Sequence, residues 1–159
     1  MDEQSLRRQV ADLVRGGGAH LTWDEALDRL RPANRAKAPR PGLHSVWQLV
    51  EHVRIAQEDI LRYALEPDWR SPKWPDGYWP TVKEPTPAQW KASLASFERD
   101  LAAVVAMVLD PAVDLTAAIP HGQAGHTCLR EALLVADHNA YHLAQVVDAR
   151  RLLGDWKSS

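Results

Sequence analysis

The chain has 159 residues, enough for one domain with a real core, and its composition is ordinary at 45% hydrophobic and 25% charged. With 19 basic against 21 acidic residues the net charge is −2, which leaves no basic footprint for nucleic acid, and no apolar run reaches the roughly 18 residues of a membrane span. The single cysteine, Cys128, excludes an internal disulfide and a paired-cysteine zinc site.

The opening MDEQSLRRQV lacks the basic-then-apolar layout of a signal peptide, so a cytoplasmic protein is expected. A first helix is predicted over about Ser5–Arg15, with Leu6, Val10, Leu13 and Val14 on one face, ending at the GGG that follows. The piece TWDEALDRL reads as a short helix with Thr22 as N-cap and two acids in its first turn, where the helix dipole favours them. RPANRAKAPRPG then reads as loop, by its prolines and lack of period.

The second long helix starts near His44 or Ser45 and runs to about Leu65, its inward stripe formed by Val46, Leu49, Val50, Val53, Ala56, Ile60 and Ala64. Residues 66–87, EPDWRSPKWPDGYWPTVKEPTP, hold six of the eleven prolines and three of the seven tryptophans. A disordered linker would be poor in rings. This segment is therefore expected to cover the bundle, with at least one of Trp69, Trp74, Tyr78 and Trp79 on the wall of a cleft or all four sealing the core. Thr86 before Pro87 marks the start of a third long helix reaching Leu109. Thr127 opens a fourth that runs to about Leu153 and stops at Gly154. No segment carries strand alternation with hairpin chemistry, so an all-α four-helix bundle is predicted. Chain economy favours up-and-down neighbours, although the long connections leave the order open.

The fourth helix contains two histidines four residues apart. At about 100° per residue, taking His138 as zero, His142 lies near 40°, Gln145 near −20° and Tyr141 near −60°. The charged residues Arg130, Asp137, Asp148 and Arg151 fall on another side, so the histidine face points inward. Imidazoles one turn apart can meet one cation, but an ion needs a further protein ligand. His52 supplies a candidate, standing inside the stripe Leu49, Val53, Ala56 where a leucine would be expected. An HxxxH pair alone is more often core than ligand; three inward imidazoles would each need a polar partner unless they share a purpose. His20 and His126 read as surface loop residues, while His44 and His121 could line a pocket mouth without being ligands. Gln145 is the best neighbour to support a ligand or polarise a substrate, and Tyr141 either reaches the pocket edge or fills core. Glu51, Glu131 and Asp137 are poorly placed for proton transfer, which leaves the catalytic residues unassigned.

The pattern HSVWQLVEHVRIAQEDIL, followed by LREALLVADHNAYHLAQVVDARRLLGDW, resembles the DinB-like superfamily of damage-inducible or YfiT-type four-helix bundles over nearly all of residues 1–159. The resemblance implies a divalent metal, nickel or zinc, on His52, His138 and His142, and a frequent homodimer. It also implies metal-dependent enzymes that use a low-molecular-weight thiol, and no DNA binding. Three imidazoles leave a coordination position open, as catalytic sites do. Two functions stay open: a metal-dependent enzyme on a small-molecule substrate, a thiol-dependent S-transferase or hydrolase, or a metal-stabilised bundle that binds a ligand or partner without catalysis. A homodimer also follows from the fourth helix, which is apolar on two faces and charged on only a narrow strip.

Overall fold

The computed structural model describes residues 2–156, which form five α-helices and no strand. These are α1 (Glu3–Arg15), α2 (Trp23–Leu27), α3 (Val46–Leu65), α4 (Pro87–Leu109) and α5 (Cys128–Leu152). Each begins on a side chain that satisfies an otherwise orphaned backbone donor. Asp2 accepts from the Ser5 N–H at 2.7 Å. Thr22, Ser45 and Thr86 form capping boxes with Glu25, Gln48 and Gln89, and Thr127 accepts from the Arg130 N–H at 3.1 Å. α1 ends on Gly16 at φ +75°, a left-handed position that suits glycine, with its N–H on the carbonyls of Asp12 and Leu13.

The four long helices pack together, α1 and α3 each lying against both α4 and α5. α3 and α4 run parallel, not up and down. The contacts advance together along both: Trp47 lies 6.2 Å from Trp90, the Ser93 hydroxyl donates to Glu51 at 2.5 Å, and the Gln57 amide donates to the Phe97 carbonyl at 2.8 Å. α5 runs against both, with Val146 and Ala149 beside Val46–Val50 and Ala132, Val135 and Ala136 beside Leu61 and Ala64.

A parallel pair forces a return path. A 20-residue helix is about 30 Å long at 1.5 Å per residue, and the chain must retrace that length before α4 can start. Residues 66–86 do so as a strap laid back along α3. The Arg62 guanidinium covers Trp69 at 3.7 Å, and Asp59 accepts from the Trp69 indole N–H and the Tyr78 hydroxyl. His52 bonds the Tyr78 carbonyl, and the Trp47 indole donates to the Val82 carbonyl at 2.7 Å. The anchors on α3 thus run backwards, 62, 59, 52, 47.

Two apolar clusters fill the ends of the bundle, one around Val10, Val14, Val104, Val108 and Val135 and the other around Val46, Trp47, Leu49, Trp90 and Val146. Between them lies a polar middle layer of His52, Gln57, Asn139 and His142, all buried, in which the Asn139 amide donates to Gln57 at 2.9 Å. Among the described residues, no helix is long and apolar enough to cross a membrane.

Candidate metal centre

The middle layer brings together the three histidines that the helical spacing turns inward. α3 contributes His52 and α5 contributes His138 and His142, whose ring centroids lie 4.5 Å apart. His52 stands 5.0 Å from His138 and 4.6 Å from His142, centroid to centroid. One nitrogen from each ring falls within 4.8 Å of the other two, and His52 and His142 are buried while His138 is half-buried. The His52 and His138 Nε2 atoms are 3.1 Å apart, close to the roughly 3.4 Å that separates two nitrogens on one tetrahedral ion with bonds of about 2.1 Å.

Hydrogen bonds outside the cluster decide which nitrogens face in. His52 Nδ1 lies 2.8 Å from the Tyr78 carbonyl. A carbonyl only accepts, so Nδ1 carries the hydrogen and Nε2 keeps its lone pair. His142 Nδ1 is likewise 2.8 Å from Gln145 Oε1, which presents its Nε2 inward too. His138 differs: its Nδ1 is buried without a partner, and its one hydrogen bond goes to His52.

Burial disfavours the charged form of all three rings. It lowers the His52 and His142 pKa values, against the opposing pull of the Tyr78 carbonyl and Gln145, and His44 lowers both further. Burial and the adjoining His142 and His52 push His138 down to about 3. Neutral imidazoles crowded around one point are the protonation state that a cation requires. The donor set therefore fits a divalent ion that takes imidazole nitrogen.

The strap walls off one side of the histidine cluster. Trp79 stacks on His52 at 4.1 Å and 7° between planes, and on its other side stacks His44 at 4.0 Å and 20°. Trp69 and Tyr78 point instead to Asp59, and Trp74 is 73% exposed with its ring 5.5 Å from Tyr78. Beside this wall, Leu43, His44, Leu49, Gln145, Ala149 and Leu152 line a cleft of about 390 Å³, a size that suits a small molecule, and none of Trp69, Trp74, Tyr78 and Trp79 is among its lining residues. Gln145 thus touches both the cleft and the ring of His142. Tyr141 is exposed, with its ring edge-on to His142 at 5.0 Å, and fills no core.

The remaining candidates sort cleanly. Glu51 is tied to Arg54 at 2.8 Å as well as to Ser93, and Asp137 faces solvent. Glu131 is buried at the far end of α5, paired with Arg130 at 2.5 Å and 3.7 Å from His126. His126 is half-buried and bonded to the Tyr63 hydroxyl at 2.9 Å, so it is not the free surface residue that its loop position implies. His121 bonds the Tyr63 carbonyl, and His20 bonds the carbonyl of Leu21. Sequence reasoning missed Asp59, the buried acid that holds the strap. Its signal was a place seven residues from His52, on the same inward face of α3.

The family model for the DinB superfamily matches residues 20–146, most of the chain and all three histidines. No curated protein and no solved structure matches it.

Proposed function

The chain belongs to the DinB superfamily, and from that premise we propose a metal-dependent enzyme with His52, His138 and His142 as ligands to one divalent ion, nickel or zinc. The reaction proposed is attack on a small molecule by water or by a low-molecular-weight thiol. One observation carries the reading: three imidazoles converge, two of them with their outer nitrogens pinned so that Nε2 points in. His138 adds to it through its Nε2, which lies 3.1 Å from His52 Nε2 and has no polar partner outside the cluster.

When bound, such an ion supplies Lewis acidity, which lowers the pKa of a water or thiol nucleophile. The chain's own residues would do the rest. His52 and His142 present fixed lone pairs, Gln145 holds the His142 ring, and Leu43, Leu49 and Leu152 receive an apolar part of the substrate beside it. His44, stacked on Trp79, and Asp148 both line the cleft and supply its ionisable side chains. The ion-ligating cluster itself contains no carboxylate among the described residues. That favours a second reading, a bundle whose metal serves stability and ligand binding alone.

Metal analysis coupled to a thiol-consumption assay separates these. We expect one zinc or nickel per chain, lost in His52→Ala and His138→Ala, with metal-dependent consumption of thiol or hydrolysis of an activated ester. Stoichiometric metal without turnover of any electrophile supports the second reading. A protein that takes up no divalent ion overturns both.

A further inference from the structure

Asp59 lies on α3 seven residues beyond His52, two turns further along one face, and only 8% of it is exposed. No lysine or arginine among the described residues pairs with it. A buried carboxylate in that position must be satisfied by neutral donors. Both come from the strap: the Trp69 indole N–H on Oδ1 at 2.7 Å and the Tyr78 hydroxyl on Oδ2 at 2.6 Å. Bonds to an ionised acceptor are short and about twice as strong as neutral ones.

Tyr78 is therefore held at both ends. Its hydroxyl is on Asp59, and its carbonyl takes the hydrogen of His52 Nδ1 at 2.8 Å. The next residue, Trp79, lies flat on the same imidazole. Moving Tyr78 along α3 would remove the acceptor that keeps the hydrogen on Nδ1 and the ring that fixes the imidazole plane. The other tautomer would place a hydrogen on Nε2, the nitrogen that faces His138.

We propose that Asp59 is a positioning residue: by seating the strap through Tyr78 it sets the tautomer and orientation of His52, and so chooses the nitrogen offered to the metal. The choice of nitrogen stands on the hydrogen bonds alone, whereas its use by a metal rests on the reading given above.

The test uses the full chain with Asp59→Asn and Tyr78→Phe. Long-range nitrogen–proton NMR of the metal-free protein reports each imidazole tautomer, and zinc affinity is read by competition with a chromophoric chelator. We expect His52 to hold the Nδ1–H form in the natural chain and to shift towards Nε2–H in both variants. His142, which rests on Gln145 and not on the strap, should keep its tautomer. Zinc affinity should fall by about tenfold or more, as for other groups that orient a metal ligand. A general loosening of the bundle would disturb both histidines alike and would overturn the proposal. So would wild-type tautomer and affinity in both folded variants. Loss of helical circular dichroism in both variants would make Asp59 a stability element, and the proposal would fall. If the natural chain takes up no zinc, the metal centre fails while the tautomer measurement still decides the role of Asp59.

Discussion

His138 has the least support of the three imidazoles, and its titration should show in the stability of the metal-free protein. Its pKa is held near 3, and those of His52 and His142 are lowered as well, whereas all three titrate near 6.5 in an unfolded chain. Folded values below unfolded ones mean that acid protonates the unfolded state first, so this stability is complete above about pH 6.5 and is lost as pH falls towards 3. We expect the urea midpoint of metal-free protein to drop between about pH 6.5 and 5, above the carboxylate range, and His138→Gln to flatten that slope. An unchanged midpoint across that interval would show that the rings are not held neutral. Gln145→Leu removes the acceptor of His142 Nδ1 and should weaken zinc binding about tenfold, with Gln145→Glu retaining it. The three histidines were legible because an imidazole on an apolar helical stripe has few uses. Asp59 was not, because an acid on a helix ordinarily reads as solvated and its partners Trp69 and Tyr78 lie 10 and 19 residues away, in a segment without period.

At the scale of elements, the limits of the four long helices were readable to within a residue or two, Thr86 and Thr127 announcing their own N-caps, while the short α2 stops at Leu27, three residues before the expected end. Direction was not. A connection the length of residues 66–86 can join α3 to α4 either way, and only the anchors on Trp47, His52 and Asp59 fix the return path. Arg150 escaped for a similar reason. Near the end of α5 it looks like a cation placed for the helix dipole, yet it is 1% exposed. Its guanidinium donates to the carbonyls of Ala26, Asp28 and Asp155, clasping α2 and the chain end to α5. Arg7 does the same at the other end, with bonds to the Val108, Asp110 and Val113 carbonyls. Arg150→Met should lower stability by about 3 kcal/mol or more, since several buried carbonyls lose their donor. Arg150→Lys should recover little, because one ammonium cannot span the positions that the planar fork reaches. Chemical denaturation of the two variants measures both.

Across the whole molecule, apolar side chains are left uncovered on neighbouring helices: Leu6 and Leu13 on α1, and Leu133 on α5. We expect two copies of the chain to pair through this face, giving a dimer by sedimentation velocity at micromolar concentration. Leu13→Glu combined with Leu133→Glu should return a monomer with unchanged helicity. A natural chain that sediments as a monomer would remove the dimer. The strap also divides the chain unevenly in one respect. His52 precedes it in sequence while His138 and His142 follow it, so a single cleavage at the exposed Lys73 would sort the three histidines onto two fragments. A zinc ion held by all three imidazoles would then be the rivet between the two pieces. A nicked sample should melt as one body with zinc bound, and its fragments should separate at lower urea once the ion is chelated.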